Sequence, residues 1–189
     1  MNSPVDRTRP NNTAIIVIDI QQKLAPSMPP ERMAQIERAS RILLGAAEEL
    51  GAPVLATEQY PRGLGPTIDS VGELLQAADI NPIEKVAFSA CNEPTFVQAL
   101  KARHIDSAVV LGMETHICVF QTVRDLVGRG MRVDVVIDGV ASRREDHRQV
   151  GLDLCAKAGA NLTTAETVLF DWLVQAGTDS FKKLAKLVR

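Results

Sequence analysis

Four apolar, β-branched runs, separated by longer stretches of helical period, constrain the fold of this chain more than any other feature. Residues 14–19 (AIIVID), 53–57 (PVLAT), 107–112 (SAVVLG) and 132–138 (RVDVVID) read as strands. A shorter run lies at 85–88 (KVAF), and a sixth candidate at 161–163 (NLT). The first and third runs are almost wholly apolar, the pattern of strands covered on both faces. Pro30 is placed to open a helix that Gly51 closes. Asn92-Glu93-Pro94 opens another, and Ser142-Arg-Arg-Glu145 is a capping-box pattern starting a helix that ends near Gly159. Thr163-Thr-Ala-Glu166 repeats that pattern before a helix ending near Gly177, and 180–188 forms a short amphipathic tail. Strand–helix–strand repetition predicts an α/β fold: three layers, α/β/α, around a six-stranded, mostly parallel sheet. One domain is expected over 1–189, with 1–12 a flexible N-terminal segment.

Composition narrows the function classes. Of the 189 residues 46% are hydrophobic and 23% charged, which excludes a disordered chain. Only 4% are aromatic, so the core must be aliphatic. A net charge of -2 gives no electrostatic reason for a nucleic-acid partner. No apolar run approaches the ~20 residues of a membrane span, and the polar start lacks the apolar centre of a signal peptide. The three cysteines, Cys91, Cys118 and Cys155, cannot all pair and have no CxxC spacing. A cytoplasmic protein without nucleic-acid or membrane partners is the expectation. No cofactor is expected either: the segment after Asp19, IQQKLAPS, lacks the Gly-x-Gly-x-x-Gly phosphate cradle of a dinucleotide-binding fold.

Ligands of open parallel sheets sit beyond the carboxyl ends of the strands, which directs attention to the polar residues there. Asp19 follows AIIVI, Lys85 follows Glu84 at the short third run, and Cys118 begins the helix after residue 112, in GMETHICVFQT. Singly, each has an ordinary explanation: a turn aspartate, a surface lysine, a small core residue. A cap at Glu114 or Thr115 puts Cys118 in the first helical turn, where free N–H groups and the helix dipole favour a thiolate. Ile117, Phe120, Val123 and Val127 read as the core stripe, with Cys118 one step off it. Asp138 reads as a cap for the turn at Ser142, and Cys91 and Cys155 as structural. Residues 59–79 contain the one long stretch of weak periodicity, expected to include a loop over the site.

Asp19 in VIDIQ, Lys85 in EKVAFSA and Cys118 in GMETHICVFQT, in that order and on those elements, resemble the isochorismatase-like cysteine-hydrolase superfamily. TEQYPRGLGPT and the tail FKKLAKLV are similar to its isochorismatase domain-containing branch. The resemblance spans nearly the whole chain. It implies a Cys118 nucleophile, an Asp19 proton carrier, and Lys85 lowering the thiol pKa while holding Asp19 ionised. It also implies a cis peptide at Met113–Glu114 that aims backbone N–H groups at an oxyanion, and a homo-oligomer. Gln22, Gln59, Tyr60 and Phe88, which follow strand ends, and His116 are candidate substrate contacts. The nicotinamidase branch carries an Asp-x-His-xxx-His metal site after the second strand. Here the stretch is Glu58-Gln59-Tyr60-Pro61, and the histidines His104, His116 and His147 lie on different elements, so no metal is expected. The resulting expectation is a metal-independent hydrolase of a small amide or related acyl compound. The alternative is a catalytically silent binding or scaffolding protein of the same fold.

Overall fold

The computed structural model describes residues 8–188. Six parallel strands form one sheet: β1 (Thr13–Ile18), β2 (Val54–Gln59), β3 (Ile83–Lys85), β4 (Ser107–Met113), β5 (Arg132–Ala141) and β6 (Asn161–Thr163). Their spatial order is β3-β2-β1-β4-β5-β6. The eight α-helices among the described residues are α1 (Pro30–Leu50), α2 (Pro61–Leu64), α3 (Asp69–Ala77), α4 (Pro94–Ala102), α5 (Phe120–Gly128), α6 (Glu145–Lys157), α7 (Ala165–Leu173) and α8 (Asp179–Leu184).

Every residue of β1 is buried, and the period of two explains why. Ile15 and Val17 point into a core shared with α1, α3 and α7. Ala14, Ile16 and Ile18 point to the opposite face, into a core shared with α4, α5 and α6. These are the three layers that the apolar run implies. The strand order reverses between β1 and β4, and the crevice at such a switch point is where open α/β sheets hold ligands.

Local punctuation follows the sequence in places and departs from it in others. Pro30 begins α1, and Gly51 ends it in the left-handed region at φ 73. The KVAF run does not form the expected strand over 85–88. β3 ends at Lys85, and Val86 (79% exposed) and Phe88 (52% exposed) stand in a loop at its end. β5 continues past Asp138 to Ala141, because a bulge shifts its register against β4: Val110 faces Val135, but Gly112 faces Val140. The buried Arg148 of α6 donates to the Ile137 and Val140 carbonyls in and beyond that bulge. Asp138 does not cap the Ser142 turn; its carboxylate accepts the N–H of Ala165 at the head of α7. Ser142 is not the cap of α6, a place taken by Arg144. At α7 the cap is Thr164, one residue beyond Thr163, its hydroxyl accepting from the Thr167 N–H. Residues 1–7 of the expected flexible segment lie outside the described residues. Thr8, by contrast, is buried and accepts a hydrogen bond from Trp172 Nε1 at 3.0 Å.

Helix α7 ends at Leu173, four residues before Gly177, in a tight turn that closes with Gln175 N–H on the Leu173 carbonyl. Its middle residue is Val174, with φ 65 and an exposed side chain. A β-branched residue in that region carries ~1–3 kcal/mol of strain, which glycine escapes at some entropic cost. Val174→Gly is expected to raise stability by about 1 kcal/mol and the melting temperature by about 2–4 °C. A thermal melt in which the variant unfolds earlier than wild type would remove strain as the explanation.

Candidate active site

Asp19 sits one residue past β1 at φ 50, a left-handed conformation that aspartate tolerates better than most residues. It is fully buried. Its Oδ1 accepts from the Thr57 hydroxyl at 2.7 Å, and its Oδ2 from Lys85 Nζ at 2.7 Å. Neither side chain of this ion pair meets solvent. Removing one partner of such a pair leaves an uncompensated buried charge, typically a loss of ~3–5 kcal/mol. The pair is therefore held by the strand ends of β1, β2 and β3 together.

Cys118 lies in a π-helical turn, Thr115–Val119, that leads into α5. The wider turn changes the phase of the helix. The buried face is Thr115, Cys118, Val119, Thr122, Val123 and Leu126, so Cys118 lies on the core stripe rather than beside it. Ile117, Phe120 and Val127 are only partly buried. The Cys118 thiol feels both members of the Asp19–Lys85 pair. Burial pushes this thiol up to about 12, the Asp19 charge adds to the rise, and the Lys85 ammonium offsets only part of it. The thiolate expected at a helix start is thus not the resting form. Burial alone carries Cys155 to about 12 and also raises Cys91. Acidity does not set Cys118 apart; the charges of the ion pair acting on it do.

The Met113–Glu114 peptide between β4 and the π-turn is cis. The Glu114 carboxylate is buried and accepts from Arg143 N at 2.9 Å and Nη2 at 2.7 Å. Burial would raise this carboxyl, but the Arg143 hydrogen bonds outweigh it and hold the group below its ordinary value. His116 Nδ1 is 2.9 Å from Ser142 Oγ, and its ring centroid is 4.7 Å from that of His147. Burial pushes the His116 imidazole down; the Glu114 charge opposes this and the His147 charge reinforces it.

The other candidate contacts separate. Gln59 is buried, its Oε1 2.8 Å from Lys85 Nζ, so it is built into the cluster. Gln22 is exposed and donates to Asp69 Oδ1; the neighbouring Gln21 is the buried one, bonded to the Gln59 backbone. Tyr60 lines a surface recess of about 360 Å³ with Arg62, Glu84, Val86 and Glu93. Phe88 is half-exposed and offers its carbonyl to Lys85. Thr57 and Gln21 escaped the sequence reading as site residues, and Ser142 and Arg143 were read only as part of a helix cap. For Thr57 a signal existed, a hydroxyl ending an apolar strand; for the others none did, because their partners are distant in sequence.

Among the described residues no group of three or more His, Cys, Asp or Glu side chains is placed to hold a metal ion. The donor set explains this at the position where a relative would carry a metal site: Glu58 accepts from Thr67 N–H and hydroxyl, and Gln59 is engaged by Lys85. Among the same residues no helix is long and apolar enough to cross a membrane.

A parallel sheet in this order, with a cysteine beside a buried Asp–Lys pair at its switch point, defines an isochorismatase-like α/β fold. A family profile described as "Isochorismatase domain" matches residues 13–167. The chain belongs to the isochorismatase family. It is 34% identical to isochorismatase domain-containing protein 2A of Mus musculus over 184 residues, 97% of this chain and 85% of that one. A solved structure described as MAR1 ribonuclease from Caenorhabditis elegans is 36% identical, with a TM-score of 0.89 over 97% of this chain and 92% of that one. The Escherichia coli YcaC gene product, described as an octameric hydrolase of unknown specificity, is 22% identical with a TM-score of 0.88, covering 98% of this chain and 92% of its own, a likeness of fold alone.

Proposed function

We propose that this chain is a metal-independent cysteine hydrolase acting on a small amide or related acyl compound. One observation carries the reading: an Asp19–Lys85 ion pair, sealed from solvent, whose two charges both act on the buried Cys118 thiol. Because the resting thiol is protonated, attack and proton transfer go together. The Cys118 proton passes to Asp19 as sulfur bonds to the substrate carbonyl carbon. The oxyanion is received by the N–H groups of Glu114 and Cys118 at the head of the helix. Collapse of the tetrahedral adduct breaks the C–N bond, and the proton on Asp19 leaves with the amine. Asp19 then takes a proton from water, which attacks the thioester, releases the acid and restores the thiol. Lys85 carries no proton in this cycle; it compensates the charge of Asp19.

A nuclease reading, suggested by the name of the C. elegans protein, has nothing comparable behind it, since a net charge of -2 offers no phosphate-binding field. The octamer named for the E. coli protein makes a homo-oligomer part of the proposal, read by sedimentation.

The test is covalent capture. Wild type and Cys118→Ala are incubated with p-nitrophenyl acetate and with a panel of small primary amides and thioesters, then quenched in acid for mass spectrometry. The expected result is an acyl adduct on Cys118, absent at Cys91 and Cys155, with turnover lost in the variant. Turnover that survives Cys118→Ala removes Cys118 as the nucleophile, and no adduct and no turnover with any compound moves the silent binding protein to the front.

A further inference from the structure

Lys85 Nζ has three protons and four oxygens around it. Asp19 Oδ2 lies at 2.7 Å, Gln59 Oε1 at 2.8 Å, the Phe88 carbonyl at 3.1 Å and the Ala87 carbonyl at 3.2 Å. With its side chain wholly enclosed, this ammonium has no N–H left for a substrate. Its place is therefore decided by its acceptors, and only one of these besides Asp19 is a side chain.

That side chain is Gln59, and its orientation is fixed by chemistry. An ammonium only donates, so the atom facing Lys85 must be the carbonyl oxygen. The amide nitrogen then donates to the Val86 carbonyl at 2.7 Å, tying down the loop that supplies the Ala87 and Phe88 carbonyls. The Gln59 backbone is pinned in turn. Its N–H donates to Gln21 Oε1 at 2.8 Å, and its carbonyl accepts from Gln21 Nε2 at 3.0 Å. Gln21 Nε2 also reaches the Gly65 carbonyl at 2.7 Å, which joins the loop after β1 to the one after α2. Two buried glutamines thus brace the ion pair.

We propose that Gln59 is a positioning residue for the reaction: it holds the Lys85 ammonium on the Asp19 carboxylate and keeps it from acting as a substrate-binding cation. This rests on the hydrolase reading, and it replaces the role of substrate contact that the strand-end position suggests. A consequence for specificity follows. A carboxylate on the substrate finds no partner in Lys85, so the site is built for acyl compounds without a carboxylate at that point.

The test reads Lys85 directly and needs no substrate. Trace acetylation by acetic anhydride, quantified by mass spectrometry and normalised to the exposed Lys182, is compared in wild type, Gln59→Met and Gln59→Glu. Gln59→Met keeps the volume and removes the acceptor; Gln59→Glu restores an acceptor and removes the donor to Val86. The expected result is a rise of at least tenfold in Lys85 labelling for Gln59→Met. Iodoacetamide labelling of Cys118 slows about threefold in the same variant, because the ammonium no longer sits beside the thiol. Gln59→Glu keeps Lys85 labelling within about twofold of wild type. Equal Lys85 labelling in folded Gln59→Met and wild type overturns the proposal. So does a rise of well over twofold above wild type in Gln59→Glu, and this second variant decides alone should the first fail to fold. Because the labelling arm is independent of turnover, an inactive but correctly labelled protein would sink the hydrolase reading and leave the Lys85 anchor standing.

Discussion

Asp19→Asn is expected to make the Cys118 thiol more acidic while stopping turnover. After burial, the largest influence that lifts the thiol to about 12 is the charge of Asp19, and it goes with the carboxylate. The Lys85 ammonium remains beside the sulfur and pulls the other way. Burial still raises the thiol, so the value falls below that of wild type without reaching that of a primed thiolate. Each unit of fall multiplies the thiolate fraction tenfold and lowers its intrinsic nucleophilicity about threefold, so iodoacetamide labelling at pH 7–8 should rise about threefold per unit. Catalysis moves in the opposite direction. In the proposed cycle, without the carboxylate no group returns a proton to the leaving amine or activates water, a loss of ~10²–10⁴ in rate.

The leaving group separates the two halves. p-Nitrophenolate needs no proton, so Asp19→Asn should still acylate with p-nitrophenyl acetate and then stall, accumulating an adduct on Cys118 that wild type clears. Amides should not acylate it at all. Slower thiol labelling in Asp19→Asn would mean that the carboxylate lowers the thiol rather than raises it. Clearance of the adduct at the wild-type rate would assign water activation to another group. Either result removes Asp19 from the centre of the mechanism.

Much of this was legible in the sequence because it depends on local periodicity. The wholly apolar β1 announced a strand covered on both faces, and its end located Asp19 at a sheet edge. Lys85 was found for an incomplete reason: the KVAF run looks like a strand, yet Val86 and Phe88 are exposed and the strand stops at the lysine. Cys118 owed its place to the resemblance, since its helical phase was misread. A π-turn adds a residue before α5, and nothing in THICVF marks that widening. The bulge in β5 was equally hidden, because Arg148, which donates to the Ile137 and Val140 carbonyls, comes from the following helix. Gln59 was noticed from its strand-end position, which says that a side chain is near the crevice; its pairing with Lys85, 26 residues away, supports the positioning role proposed above.

Gly112→Ala is expected to be the most destabilising single substitution proposed for this chain. Gly112 pairs with Ile18 where the two central strands meet at the switch point. A methyl group there would lie 2.0 Å from the Ile18 carbonyl oxygen and within 2.8 Å of its carbonyl carbon and nitrogen. All three are backbone atoms, so no side chain can turn aside. The backbone is adverse as well, because φ is +129, a region that side chains rarely occupy. To admit alanine, the end of β1 must move away from β4. The residue that follows β1 is Asp19, so the shift would act on the ion pair and on its influence over the thiol together. A loss of about 4 kcal/mol or more is expected, at the exceptional end for one substitution. Gly128→Ala is the matched control: it closes α5 with nothing within 4 Å of the added methyl, and helix propensity favours it by ~0.5–1 kcal/mol. Urea midpoints of the two variants should therefore move in opposite directions. A Gly112→Ala loss below about 1 kcal/mol would mean that β1 and β4 can separate freely, and the close approach would not be what holds Asp19 in place. A large loss with a normal Cys118 labelling rate in the folded fraction would separate the sheet's need for glycine from the site's. The geometry predicts that the two needs coincide, because the carbonyl that leaves no room for a methyl belongs to the residue that carries the chain into Asp19.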